Sequence, residues 1–129
     1  MSSTIYRKAH FNAAHRLFRK DWSDERNLEV FGKCSNPNYH GHNYELEIGV
    51  TGNINPETGF IIDLSILKAI IKEEVEIPFD HKNLNLEVEE FKELNPTVEN
   101  IAMIIWDKLT KRLASSYDVT VKLYETPRN

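Results

Sequence analysis

The sequence has little cysteine, and it lacks both the long apolar runs of membrane proteins and the apolar leader of secreted ones. Cys34 is the single cysteine among 129 residues. No disulfide can form within the chain, so Cys34 is a buried thiol, a metal ligand or a nucleophile in a reducing compartment. No apolar stretch approaches the length of a membrane span, and none follows the basic residues near the N-terminus. We therefore expect a cytoplasmic protein that does not enter a membrane.

An excess of positive charge is also absent. The chain has 16 Lys and Arg against 20 Asp and Glu, a net charge of −4. Nucleic-acid-binding surfaces need clustered Lys and Arg, so we expect no nucleic-acid partner, whereas a small anionic substrate needs only a few local cations. With 40% hydrophobic and 28% charged residues, the composition predicts one globular domain over residues 1–129.

Alternation of apolar and polar residues predicts three strands and a hairpin. The strands cover about residues 4–15, 42–52 and 119–125, and each has one apolar face. Turn residues at Asn55–Gly59, followed by the apolar run Phe60–Ile62, predict that the second strand folds back on itself as a hairpin.

Apolar residues at helical spacing predict one short helix and two long ones. The short helix covers residues 24–31 after the N-cap residue Ser23, the first long helix runs from about Asp63 to Pro78, and the second begins at Thr97, a good cap residue. The apolar stripe of the second long helix is broad, as in a helix that lies on a sheet. The acidic segment from Glu87 to Glu93 is expected to be a solvated loop.

Three histidines are predicted to share one face of the sheet. His40 and His42 are two residues apart, which places both rings on one face of a strand, about 7 Å apart along the chain. His15 has the parity of the apolar residues in the first strand, whereas His10 has the opposite parity. A lone strand histidine is usually structural, but three neutral imidazoles in phase, with a fourth position open, are the ligand set of catalytic zinc.

The other chemically active residues allow several interpretations. Cys34 lies in a loop that precedes the histidine pair. It is an inert thiol, a thiolate activated by nearby positive charge, or a fourth ligand that closes the zinc site. Asp80 and His81 offer a carboxylate and an imidazole for proton transfer, although a loop histidine is more often a surface residue. Glu125 ends an apolar row, so it either pairs with a ligand or already lies in water.

Five segments, taken together, resemble the 6-pyruvoyl-tetrahydropterin synthase family. They are Phe11–Leu17, Phe31–Tyr44, Asp80–Leu84, Pro96–Asn100 and Tyr124–Thr126. The resemblance spans nearly the whole chain and implies the α+β tunnelling fold. In that fold an antiparallel sheet carries two helices on one face, three subunits join their sheets into a barrel, and two trimers stack as a homohexamer. The closed barrel explains how a small sheet avoids exposed edges.

The resemblance also implies a role for each candidate residue. It implies a lyase of tetrahydrobiopterin biosynthesis that eliminates triphosphate from 7,8-dihydroneopterin triphosphate and rearranges the side chain into a pyruvoyl group. The implied zinc ligands are His15, His40 and His42, the thiol is Cys34, the proton relay is Asp80 with His81, and the pterin is bound by Glu125 and the block Thr97, Val98 and Glu99. Val98 departs from the family, which often has a hydroxyl residue there. Weaker candidates for the triphosphate are Arg16, Lys33 and Lys82.

Two alternatives to the pyruvoyl activity remain open. The sister enzyme 6-carboxytetrahydropterin synthase, of the queuosine and deazapurine pathway, uses the same zinc histidines, cysteine and relay. Its cysteine usually stands three residues before the H-G-H motif, whereas five residues separate Cys34 from His40 here, which favours the pyruvoyl enzyme. A non-enzymatic, zinc-stabilised interaction module is the remote alternative, with Cys34 as fourth ligand. The family usually continues beyond Thr126 into a further strand, so we expect a sheet one strand short.

Overall fold

The computed structural model describes residues 1–129 as a four-stranded sheet with helices. The strands are β1 (Ser2–His15), β2 (His40–Asn53), β3 (Lys82–Asn83) and β4 (Asp118–Tyr124), in the spatial order β3-β1-β2-β4. The central pairs β1–β2 and β2–β4 are antiparallel, and the short β3 is parallel to β1. The predicted α+β class is confirmed, with β3 as a parallel addition to an otherwise antiparallel sheet.

Four helices accompany the sheet, and each starts at a side-chain cap, with Asn83 accepting the N–H of Leu86 at the start of the third. They are α1 (Asp24–Phe31), α2 (Leu64–Ile71, continued by a π-helical segment Lys72–Glu76 and Ile77–Phe79), α3 (Leu84–Glu87) and α4 (Val98–Arg112). Ser23, Asp63 and Thr97 each accept a hydrogen bond from a backbone N–H of the first turn, as N-cap residues do. The predicted long helices are therefore present, and α2 ends one residue beyond Pro78.

The two long helices pack on one face of the sheet, as predicted. Strand residues alternate between the two faces, so one face of β1 and β2 is apolar and α2 and α4 cover it. The fully buried members of this core include Phe11, Tyr44, Leu46, Ile48, Leu67, Ile71, Ile101, Ile105 and Leu109. His15 lies at the end of the β1 row, with no exposed surface.

The hairpin predicted after β2 is wrong. Residues 60–62 form no strand, and the turn closes locally because the N–H of Asn55 donates to the carbonyl of Phe60 at 2.8 Å. The physical reason is that both edges of β2 are already paired, one with β1 and the other with β4. No edge is left for a third partner.

The acidic segment is also more ordered than a solvated loop. Residues Glu89–Phe91 form a 3-10 turn, and Val88 and Phe91 are buried in the core. Glu90 forms an ion pair with Lys108 at 3.1 Å. The two apolar residues between the charges therefore anchor this segment, because their burial outweighs the solvation of the neighbouring carboxylates.

Both outer edges of the sheet have unpaired backbone in a single chain. Strand β3 pairs with β1 only at Ala13 and Ala14, so Ser2–Phe11 has no strand on that side, and the outer edge of β4 has none at all. Exposed edges of this length are templates for pairing with another chain. None of the helices has the length and apolar character needed to cross a membrane.

Candidate metal centre and active site

The three predicted ligand histidines meet at one end of the β1–β2 ladder. His15 pairs directly with His40, and Ala13 pairs with His42, so all three rings project from the apolar face at adjacent positions. Their possible ligand nitrogens lie within 4.8 Å of one another. Three nitrogens this close together are placed as a ligand set for a single ion.

The hydrogen bonds of this cluster leave ring nitrogens available for a metal. The Nδ1 of His15 lies 2.8 Å from the carbonyl oxygen of Pro96. Because a carbonyl only accepts, Nδ1 donates this bond and Nε2 retains its lone pair. The Nε2 atoms of His15 and His42 and both ring nitrogens of His40 are buried without any hydrogen-bond partner. Buried polar atoms rarely lack partners, so this donor set fits a metal ion.

Burial also keeps His15 and His40 in the form that binds metals. The pKa of His15 is lowered from 6.5 to about 4, mainly by desolvation and also by the neighbouring His40 and His42. The pKa of His40 is likewise lowered, first by burial and then by His42. Both rings are therefore neutral near pH 7, and neutral imidazole is the metal-binding form.

Glu125 lies within this cluster and not in open water. It follows β4 directly, and its side chain is 22% exposed. Its Oε1 is 3.4 Å from Nε2 of His15 and 3.4 Å from Nε2 of His42. The backbone N–H of Glu125 donates to the backbone oxygen of Asn129 at 2.7 Å, which ties this residue to the C-terminal turn.

Cys34 lies near the cluster but is not one of its ligand group. It sits in a 3-10 turn, Gly32–Ser35, and its carbonyl accepts a hydrogen bond from the N–H of Leu17 at 2.8 Å, two residues beyond His15. Its side chain is half-buried. The group of mutually close ligand atoms comprises the three histidines alone, so this structure does not support Cys34 as a closing fourth ligand.

Asp80 and His81 form a tight pair at the β3 edge of the sheet. The carboxylate oxygen Oδ2 of Asp80 is 2.9 Å from Nδ1 of His81, and Oδ1 accepts the N–H of Asn12 at 2.8 Å. The N–H of His81 donates to the carbonyl of Asn12 at 2.6 Å, and His81 has φ of 59°, a strained conformation for a non-glycine residue. The Asn12 N–H, followed by His81, lowers the pKa of Asp80.

Within one chain this pair is separated from the histidine cluster. The sheet order places β3 and β4 at opposite edges, so Asp80 and His81 lie on the side away from Glu125. The structure therefore brings together the three histidines and Glu125, and separately Asp80 and His81.

The pterin-pocket block lies at the start of α4, beside the cluster. The hydroxyl of Thr97 accepts the N–H of Asn100 at 3.2 Å, which commits its oxygen to capping the helix. Val98 is half-buried and Glu99 is exposed. Because the carbonyl of the preceding Pro96 holds His15, the block is fixed next to the histidines.

Comparison with known proteins gives the family. The family model described as 6-pyruvoyl tetrahydropterin synthase matches residues 4–129. The chain belongs to this family. A 6-pyruvoyl tetrahydrobiopterin synthase of Pongo abelii is 48% identical over 125 residues, covering 97% of this chain and 86% of that protein. The solved structure of the Caenorhabditis elegans 6-pyruvoyl tetrahydropterin synthase has a TM-score of 0.91 and 39% identity, covering 100% of this chain and 92% of that chain.

The sister activity is represented by a more distant relative. The 6-carboxy-5,6,7,8-tetrahydropterin synthase of Rickettsia conorii is 30% identical over 139 residues, covering 94% of this chain and 92% of that protein. The chain is thus closer to the 6-pyruvoyl tetrahydropterin synthases, as the spacing before the H-G-H motif predicts. The resemblance drawn from the sequence motifs is confirmed.

Sequence reasoning missed three residues that organise the site of this family member. Pro96 orients His15 through its carbonyl, and the hydroxyl of Tyr44 lies 3.3 Å from the same ring nitrogen; burial raises the pKa of Tyr44, so the phenol stays neutral. Asn12 holds Asp80 through its backbone. Tyr44 was detectable, because it follows His42 by two residues on the same strand face, whereas the two backbone contacts leave no trace in residue type.

The lowered pKa of His15 predicts a pH dependence of stability in the metal-free protein. The unfolded chain takes up this proton near pH 6.5 and the folded chain only near pH 4, so the free energy of unfolding falls as pH is lowered through that window. The loss attributable to His15 reaches about 3 kcal/mol. Urea unfolding in the presence of chelator should show a shallower pH slope for His15→Gln, while carboxylate titrations cancel between the two proteins. Equal slopes would contradict this assignment.

Proposed function

We propose that this protein is a zinc-dependent 6-pyruvoyl tetrahydropterin synthase, which eliminates triphosphate from 7,8-dihydroneopterin triphosphate and rearranges the side chain into a pyruvoyl group. The main support is the cluster of three histidines with unpartnered ring nitrogens, in a chain of this family. Zinc is the proposed ion because catalytic zinc sites use three protein ligands and one open position. Its proposed location in the cell is the cytoplasm.

The proposed roles are those that the resemblance to the family implies for these residues. Bound at His15, His40 and His42, the ion would supply Lewis-acid polarisation of the substrate's side-chain oxygens. Cys34 moves protons at the adjacent carbons, and Asp80 holds His81 in the orientation needed for a relay.

The remaining proposed contacts fix the substrate. The carboxylate of Glu125 accepts hydrogen bonds from N–H groups of the pterin ring, and main-chain groups at Thr97, Val98 and Glu99 contact the ring. Oriented binding of this kind holds the reacting carbons against the proton-transfer groups. Lys33 and Lys82 have no carboxylate partner and are exposed, so they remain candidates for the triphosphate. Arg16 is already bonded to the carbonyl of Ser35 at 2.7 Å and stacked over Phe18, which makes it a weaker candidate.

We further propose that the active site is completed by a neighbouring subunit. Asn12 pairs with Asn43, and Glu45 pairs with Tyr124. Extending the antiparallel register of β4 by two residues places Asn43, and with it Asn12, level with the residue after Glu125. The relay is hydrogen-bonded to Asn12 and therefore lies at the same height as Glu125, on the opposite edge. Joining the two open edges around a threefold axis brings the relay of one chain towards the metal centre of the next. Stacking of two such trimers gives the proposed hexamer.

Incubation with 7,8-dihydroneopterin triphosphate tests the activity. The zinc-loaded protein should release triphosphate and form 6-pyruvoyl tetrahydropterin, identified by mass. The 6-carboxy alternative predicts carboxytetrahydropterin and acetaldehyde instead, from a closely related site whose shape does not by itself fix the product. Formation of that second pair would exclude the pyruvoyl activity.

Replacement of Cys34 distinguishes an enzyme from a zinc-stabilised interaction module. Cys34→Ala should keep its zinc and its melting temperature, because the thiol is outside the ligand group, and should lose turnover by a factor of at least about 100 as expected for a proton-transfer group. Metal analysis and a melting curve provide the structural readouts. Zinc release together with a lower melting temperature would instead support the closed, structural site.

Subunit mixing tests the shared active site. Cys34→Ala and His81→Gln should each be inactive alone, but co-expressed mixed oligomers should regain activity. With equal random mixing, about a quarter of the sites combine an intact thiol with an intact relay from the neighbour. The recovered activity should approach that fraction of wild type. No recovery in mixed oligomers that co-purify through two different tags would place the relay and the thiol of a site in one chain.

A further inference from the structure

We propose that Glu125 is a fourth metal ligand in the substrate-free enzyme, closing the position that the substrate's oxygen occupies during the reaction. This inference deepens the proposed function and rests on it. It concerns the resting state of the metal centre, in which the three histidines leave one position to be filled. The observation behind it is the placement of one carboxylate oxygen, Oε1, between two ring nitrogens that have no other partner.

The distances fit a shared ion better than they fit hydrogen bonds. Oε1 lies 3.4 Å from Nε2 of His15 and 3.4 Å from Nε2 of His42. A charge-assisted N–H···O bond is shorter, about 2.7–2.9 Å. In a tetrahedral zinc site with bonds of about 2.0–2.2 Å, neighbouring ligand atoms are roughly 3.3–3.6 Å apart. Both contacts of Oε1 have the length of a tetrahedron edge.

A hydrogen bond from His15 does not explain its contact with Glu125. The Nδ1 proton of His15 is donated to the carbonyl of Pro96, so the neutral tautomer presents the Nε2 lone pair towards the carboxylate. Two lone pairs facing each other across 3.4 Å repel unless a cation lies between them. A carboxylate is an accepted zinc ligand alongside imidazole. The close approach of Nε2 of His15 and Oε1 of Glu125 is therefore explained by an ion that both atoms bind.

Glu125 is held where such a contact can form and also be released. It lies one residue beyond the last ladder pair of β4, and its backbone is held by Asn129 in the C-terminal turn. His40 is not among its close contacts, so Glu125 joins the centre from one side. Substrate binding would release Glu125 from this position, and the freed carboxylate would accept hydrogen bonds from N–H groups of the pterin ring. Glu125 therefore binds the metal when the site is empty and binds the pterin when the substrate is present.

Metal affinity of the apoprotein tests this directly. Zinc titration against a competing chelator should show at least about tenfold weaker binding for Glu125→Gln than for wild type, as expected for a lost charged ligand. The matched control is Glu45→Gln, which removes one carboxylate from the neighbouring strand at the pair with Tyr124, on the exposed side of β2. If Glu125→Gln binds zinc as tightly as the Glu45→Gln control, the proposal is wrong.

A second measurement does not depend on affinity. In the cobalt-substituted protein, azide should alter the visible spectrum of Glu125→Gln at a concentration at least about tenfold lower than in wild type, because the variant leaves its fourth position to exchangeable water. Equal azide sensitivity would overturn the proposal. Both measurements are made without substrate, so their failure leaves wild-type turnover as an independent test of the proposed function.

Discussion

The antiparallel register of β1 and β2 is the constraint on which the site depends. The two strands pair over 14 residues, and this ladder places His15 opposite His40 and Ala13 opposite His42. A slip of one residue in either strand would move its histidines to the other face. The long apolar rows resist such a slip, because it would expose Phe11, Tyr44 and their neighbours to water. Core packing therefore determines the geometry of the metal centre.

The rest of the centre is attached to that ladder by three separate segments. The start of α4 supplies the Pro96 carbonyl that orients His15. The turn containing Cys34 is hydrogen-bonded to the end of β1, and β4 pairs with β2 up to Tyr124 and so delivers Glu125. Each attachment is a hydrogen bond to a backbone carbonyl or a strand ladder. A site held in this way keeps its side chains oriented without relying on flexible loops.

The features that depend on local periodicity were predicted correctly from the sequence. The features that depend on the pairing of strands far apart in the chain were not. Strand parity is a local property, so it grouped His15 with His40 and His42 and excluded His10, which is exposed on the other face. The hairpin at Phe60–Ile62 was wrong because the occupancy of the β2 edge depends on β4, far along the chain. The separation of Asp80 and His81 from the cluster depends on the pairing of β3 with β1, which no local pattern indicates. The roles assigned by resemblance stay predictions.

Two kinds of unsatisfied polar group remain in the isolated chain, and they have one physical consequence in common. The ring nitrogens of the cluster lack partners, and the outer edges of β1 and β4 lack strands. Unpaired nitrogens that are buried cost free energy, exposed strand edges are templates for another chain, and anything that binds either of them in the folded state alone stabilises that state by mass action. An ion would satisfy the nitrogens, and neighbouring chains would satisfy the edges. Metal binding and assembly should then each strengthen the other, because both act on the same sheet. The register of the sheet positions the histidines at one end. Its edges hold Asp80 with His81 on one side and Glu125 on the other.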